Sequence, residues 1–227
     1  MERGVTGGQH ARAHSVNVLY RDDRLLALDK PPGIIVHRGL ADDDDTMADR
    51  ARDLVGRPVH ALHRLDRGTS GVLMFALDAE TARVLQSAFT RTYLALVRGI
   101  PAPLSGRIDH PIPKGEGKDR VAAVSDYRVL GVCSARYGWV EVTPLTGRFH
   151  QVRRHMKHID CPLIGDTTYG KSEHNRLWRE RYGLSRLALH ARAVTLDYNG
   201  AALAIEAPVP DDLTRALAAA GLSDPTR

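Results

Sequence analysis

The stretch that most restricts how this chain can fold is residues 63–77. There His63-Arg64-Leu65-Asp66-Arg67-Gly68-Thr69-Ser70-Gly71 runs straight into the apolar Val72-Leu73-Met74-Phe75-Ala76-Leu77. The second part reads as a strand, and the first as the loop at its mouth. One carboxylate lies between two guanidinium groups, and flanking arginines favour the charged form of a carboxylate. Gly68 and Gly71 allow a tight turn or the close approach of a ligand. Thr69 and Ser70 can hydrogen-bond the local backbone and hold the turn's shape. Chemistry alone leaves two readings open here: a functional carboxylate, or a structural ion pair in an ordinary loop.

The other apolar runs are short and come in adjacent pairs. Val16–Tyr20 and Leu25–Asp29 flank the polar Arg21-Asp22-Asp23-Arg24, a hairpin signal. Lys30-Pro31-Pro32-Gly33 then breaks the chain, and Ile34–His37 reads as a resumed strand. Residues 46–55 predict a short helix with Thr46 or Asp45 as its N-cap. A second helix is expected from Asp78 to about Phe89, because Ala82, Leu85 and Phe89 recur at spacings of three and four. Thr92–Gly99 reads as a strand, and Val121–Leu130 and Trp139–Val142 as two neighbouring ones. Residues 101–120 carry four prolines among glycines and charges, and are expected to form a long surface loop. Gly147–His158 passes from a turn into a basic helix, and Cys161–Gly170 is glycine-punctuated and irregular. One or two helical turns fit Asn175–Tyr182, two strands fit 187–196 and 201–206, and a last helix starts at Asp211. Strands outnumber helices, which predicts an α+β fold on a largely antiparallel sheet.

At 227 residues the chain suits one large domain, read here as residues 15–221 behind a mobile tail of residues 1–14. No apolar run nears the ~20 residues that span a bilayer, and no signal-peptide h-region is visible, so a cytoplasmic protein is expected. The two cysteines, Cys133 and Cys161, imply no disulfide scaffold. Lys and Arg exceed Asp and Glu by 32 to 27. The excess is uneven: Asp42–Asp45 is an acidic run, whereas Arg148, Arg153, Arg154 and Lys157 crowd one window without an acid. Such a window suits phosphate, although basic helix faces are often merely solvated. No association stripe stands out, and a monomer is the default expectation.

His63-Arg64-Leu65-Asp66-Arg67 with Thr69-Ser70-Gly71 resembles the HRLDxxTSG signature of the RluA-type pseudouridine synthases. Further segments carry the same resemblance: Lys30-Pro31-x-Gly33, Arg91-x-Tyr93 with arginine in the usual lysine place, Thr146-Gly147-Arg148-Phe149-His150-Gln151-Val152-Arg153, and Leu187-x-Leu189-His190-Ala191. The resemblance as a whole covers roughly residues 16–210. No S4-type module is read ahead of them. The resemblance implies the pseudouridine synthase fold, with helices flanking the sheet and a central active-site cleft. It makes Asp66 the catalytic carboxylate, with Tyr93 contacting the base and Arg153 pairing with Asp66. Arg64 would enter the space left by a flipped nucleotide. Lys30, His63, Arg67, Arg148, His150, Gln151 and Arg154 would support the site or contact RNA.

The chemistry suits these residue types. Uridine becomes pseudouridine when the N1–C1′ bond breaks and the base is rejoined through C5, with no net redox change and no group donor. No metal or organic cofactor is therefore expected. A carboxylate can act as nucleophile at C1′ or as base on the sugar, and sequence leaves both open. The target must leave its stack to reach it, and a tyrosine can stack on the extruded base. His155-x-x-His158 approaches metal-ligand spacing, but Lys and Arg around it oppose a cation. The segments Gln151–Met156, Ile164-Gly165-Asp166 and Asn175–Leu187 resemble the branch of the family whose target lies in the T-stem of tRNA. A ribosomal RNA synthase, or a silent RNA-binding or RNA-folding protein, are the alternatives.

Overall fold

The computed structural model describes residues 16–38, 45–114 and 119–222. The expected N-terminal tail and Asp42–Asp44 lie outside the described residues. A hairpin of β1 (Asn17–Arg21) and β2 (Leu25–Lys30) opens the fold. Its turn is held by Asp22, whose carboxylate accepts the Arg24 and Leu25 N–H groups at 2.8 and 2.7 Å. Helix α1 (Met47–Val55) starts at Thr46, whose side chain accepts the Asp49 N–H, and ends at Gly56 in the left-handed conformation. A short β3 (His60–Ala61) precedes β4 (Ser70–Ala76), α2 (Ala79–Leu85) and β5 (Phe89–Arg98).

Three short strands follow: β6 (Ser105–Asp109), β7 (Ile112–Pro113) and β8 (Arg120–Val121). Beyond them lie β9 (Val124–Cys133), β10 (Tyr137–Pro144), α3 (Gln151–His158), α4 (Ser172–Tyr182), β11 (Leu189–Tyr198), β12 (Ala201–Glu206) and α5 (Asp211–Ala219). The main sheet runs β1-β2-β4-β11-β5-β10-β9-β6, with β12 pairing β11 and β3 pairing β4. Within it β4 and β11 are parallel, joined at His190↔Ser70 and Ala191↔Gly71, while the other pairs are antiparallel. The fold is α+β on a mostly antiparallel mixed sheet.

Both faces of the centre are covered, which is why Val72–Ala76 of β4 and Tyr93–Val97 of β5 are buried without alternation. In β5, Tyr93, Ala95 and Val97 pack with Val152 and Met156 of α3, while Leu94 and Leu96 pack with Trp178 of α4 and Leu213 of α5. In β4, Leu73 and Phe75 share the first of these cores, and Val72 and Met74 face a third with Leu85 and Val194.

Three expectations need correcting. Residues 101–120 are not one loop, because β6 pairs with β9 and β7 pairs with β8. Helix α2 stops at Leu85, since Phe89 opens β5 and turns its ring to His63, 5.4 Å away. Ile34–His37 is not a strand but a bend with a single bridge, Ile35 to Thr46. Among the described residues, no helix is long and apolar enough to cross a membrane.

Candidate active site

The loop before β4 is shaped by buried groups beneath it. Gly71 sits at φ +111°, and a Cβ there would come within 2.1 Å of the Ala191 carbonyl oxygen, so only glycine lets this loop lie against β11. The neighbouring Ser70 hydroxyl bonds the His190 Nδ1 at 3.0 Å. His63 is buried and its Nε2 accepts the Met74 N–H at 3.2 Å; burial pushes its imidazole down to about 3.

Lys30 is completely buried under the same loop. Its ammonium donates to the carbonyls of Pro31 (2.9 Å), Arg67 (3.2 Å) and Thr69 (2.7 Å), one bond for each of its three protons. Burial pushes Lys30 down to about 7, against the raising influence of Asp66. The Gly33 N–H reaches the Arg67 carbonyl as well, at 2.7 Å, and the Thr69 N–H closes the turn onto the Asp66 carbonyl at 3.0 Å.

Opposite this loop, α3 presents Arg153. Its Nη1 donates to Asp66 at 2.9 Å, while Nε and Nη2 grip both oxygens of Asp166 at 2.8 Å each. Side-chain exposure falls from 27% for Asp66 to 9% for Arg153 and 0% for Asp166. The carboxylate that meets solvent is thus backed by a guanidinium, which is backed by a second, buried carboxylate. Burial works against the charge on Arg153, but Asp166 and Asp66 outweigh it and raise its affinity for the proton. Burial likewise disfavours ionised Asp166, yet Arg153 and the Tyr169 and Thr168 N–H groups hold it below the usual carboxylate range. Asn175 of α4 ties this turn down, accepting the Gly165 N–H and donating to the Asp166 carbonyl.

His150 precedes α3 in the left-handed conformation, φ 55°, unusual for a residue with a Cβ. That turn brings its Nε2 to 3.6 Å from Asp66 and its Nδ1 to 3.2 Å from the Tyr169 hydroxyl. Burial lowers its basicity, Asp66 only partly offsetting this. Arg154 donates to the same hydroxyl at 2.8 Å and to the Pro113 carbonyl at 2.7 Å. The guanidiniums of Arg153 and Arg154 lie 5.1 and 5.6 Å from the centre of the Tyr169 ring. Tyr93 is buried on β5; burial raises its hydroxyl, with Arg91 opposing and the charge of Asp66 adding to the rise.

The residues singled out by sequence therefore divide. Asp66, Arg153 and His150 meet directly, and Tyr93 is close enough to feel the charge on Asp66. Arg64, Arg67 and Arg148 lie exposed around them. Lys30, His63 and Gln151 are buried, which fits the first of the two roles expected for them, supporting the site or contacting RNA. Gln151 anchors the start of α3: its Oε1 accepts from Thr146 and the Arg148 N–H, and its Nε2 donates to Val124 and Ser125. Among the described residues no group of three His, Cys, Asp or Glu side chains is placed to hold a metal ion. His155 is occupied by Ser125 and the His110 carbonyl, and His158 stacks on His110.

Sequence reasoning missed Asp166 and Tyr169 as parts of the site. The one available signal was the Gly165-Asp166 turn followed by Tyr169-Gly170, a carboxylate and an aromatic in an irregular stretch.

The pattern of the RNA pseudouridylate synthase family matches residues 24–158, more than half of the chain. The chain belongs to that family. The tRNA pseudouridine synthase C of Haemophilus ducreyi is 40% identical over 203 residues, covering 78% of this chain and 83% of that one. The protein of the same name from Pasteurella multocida is 41% identical over 204 residues, covering 78% and 84%. Among solved structures, human RNA pseudouridylate synthase domain containing 4 superimposes with a TM-score of 0.77 at 28% identity, covering 92% of this chain and 94% of that one. Human RNA pseudouridylate synthase domain containing 1 follows at 0.70 and 26%, with 92% and 87% covered. This family member is an RNA pseudouridine synthase, an isomerase of the α+β class its relatives share.

Proposed function

We propose that the enzyme converts a uridine in the T-stem of tRNA to pseudouridine, with Asp66 as its essential residue. The observation that carries the mechanism is the half-exposed carboxylate of Asp66 held 2.9 Å from the buried guanidinium of Arg153. The substrate supplies every atom of the product. The N1–C1′ bond breaks, the uracil turns, C5 bonds to C1′, and the proton on C5 is lost as N1 gains one. Whether the carboxylate attacks C1′ or takes a proton from the sugar, it must meet the substrate charged and aimed, and Arg153 stabilises that charge. The uridine leaves its stack to enter, an extrusion of a few kcal/mol that a side chain filling the gap offsets. Exposed Arg64, two residues before Asp66, takes that position. Tyr93 stacks on the extruded uracil and offers its hydroxyl, protonated at neutral pH, for proton transfer. Arg67, Arg148 and Arg154 meet phosphates, and the enzyme acts as a cytoplasmic monomer. Support for tRNA comes from the two bacterial relatives, each named a tRNA pseudouridine synthase.

Pseudouridine mapping in total RNA from cells with and without the gene tests this reading. Loss of a T-stem signal, restored by the purified enzyme on that tRNA, is the expected result. Loss of a ribosomal signal instead would overturn the tRNA assignment, and no loss at all would point to a silent RNA binder.

A further inference from the structure

Phe149 lies between Arg148 and His150, and 60% of its surface is exposed, the most of any large apolar side chain described. Burial alone does not explain an open phenyl ring one residue from a group that touches Asp66. The ring stacks on the His150 imidazole, with centroids 3.7 Å apart and planes at 23°. His150 in turn meets the Tyr169 ring edge-on at 5.7 Å and points its Nε2 at Asp66, 3.6 Å away. Arg154 lies 5.8 Å from the Phe149 ring and forms no ion pair among the described residues. The left-handed turn at His150 sets this geometry, and such strained positions persist where the surroundings over-determine them. Phe149 is thus an aromatic shelf one ring outward from the carboxylate, with cationic Arg148 and Arg154 on either side of it in sequence.

We propose that Phe149 is the platform on which a base flanking the target uridine stacks once that uridine is extruded. The inference rests on the RNA-modifying reading above and extends it to a residue that touches the RNA and positions the target. Extrusion strips the neighbouring bases of one stacking partner. With Arg64 filling the gap against one neighbour, a phenyl ring backed by imidazole replaces the lost partner of the other, while Arg148 and Arg154 suit the adjoining phosphates. Every base has a π-face, so the shelf fixes the position of the target and not its neighbours' identity.

The test uses Phe149→Ala, Phe149→Leu and Phe149→Trp in the full chain with a tRNA transcript. Phe149→Ala is expected to weaken RNA binding about ten-fold, the scale of one base–aromatic stack, with an unchanged thermal midpoint because the ring is exposed. Phe149→Leu should bind as weakly as Phe149→Ala, and Phe149→Trp as tightly as the natural enzyme. A 2-aminopurine placed 5′ or 3′ of the target should be quenched by the natural enzyme at one of the two positions, and the quenching lost in Phe149→Ala. Natural affinity in Phe149→Ala, full rescue by leucine, or equal 2-aminopurine signals in both proteins would overturn the shelf. If instead the unmodified enzyme forms no pseudouridine in the transcript, the tRNA reading fails, a distinct result.

Discussion

The loop that carries Asp66 is fixed through its backbone, whereas the helix that carries Arg153 is fixed through its side chains. Below the loop, a buried ammonium gathers three carbonyls and Gly71 lies flat on β11. Beside the helix, Asp166 grips the guanidinium with both oxygens and Gln151 stitches the first turn to β9. The difference suits what each half must do. A loop whose backbone is pinned holds Arg64 and Arg67 at the surface and Asp66 part-exposed against Arg153. An arginine clamped by a buried carboxylate is aimed in one direction, so its remaining N–H meets Asp66 without a search through rotamers.

Arg153 joins the two halves, and its loss should have the largest effect. Arg153→Ala leaves Asp166 buried without its partner, at about 3–5 kcal/mol of stability, and removes the group that aims Asp66. Denaturant unfolding and pseudouridine formation should both fall sharply. Arg153→Lys should recover part of the stability but little activity, because an ammonium cannot fork onto one carboxylate while reaching another.

Acid should separate the halves. His63 and His190 sit behind the loop with imidazoles pushed by burial from an ordinary 6.5 down to about 3 and about 4. Below pH 6.5 the unfolded chain takes up protons that these two refuse, so stability rises with pH across that window. Their share is fully present above 6.5 and fades as the pH falls toward 4, by about 3 kcal/mol for His190 alone at one pH unit per ~1.4 kcal/mol. Urea midpoints measured from pH 7 to 4 should show this fall, and hydrogen exchange should place the first opening at the loop and β4. Opening that begins at α3 would reverse the comparison.

Two milder changes probe each half alone. Lys30→Met keeps the buried stem but leaves the Pro31 and Thr69 carbonyls without their donor, at about 2 kcal/mol, read as a lower urea midpoint. Activity per folded molecule should drop with it, since the turn that presents Asp66 loosens. Asp166→Asn keeps the acceptor for the Thr168 and Tyr169 N–H groups and removes the charge. It should lower kcat about ten-fold, about 1.4 kcal/mol, with KM nearly unchanged, the signature of a residue that positions and does not bind.

The loop half was legible in sequence because its pieces are contiguous: the carboxylate, its glycines and the following strand occupy residues 63–77. Helix starts announced themselves in the same local way: Thr46, one of the two N-cap candidates, caps α1, and α2 begins where expected, behind Asp78. The helix half was legible only in part. Asp166 meets Arg153 across 13 residues, through an irregular turn with no periodicity to read. Strand β6 escaped because prolines precede it and its side chains are mostly exposed, so neither alternation nor an apolar run marks it. Phe89 matched the helical period of α2, yet its packing against His63 and the ladder to β11 place it in a strand. Lys30, His63 and Gln151 carry polar heads, and only the three-dimensional packing reveals that those heads serve the backbone from inside.

The most direct measurement is single-turnover pseudouridine formation on tRNA by Asp66→Asn, alongside its RNA affinity. Asn keeps the volume and can still accept from Arg153, so the fold and the binding surface stay intact while the negative charge is gone. The expected result is no detectable product with RNA affinity close to that of the natural enzyme. Product formed at a rate comparable to the natural enzyme's would remove Asp66 from the chemistry.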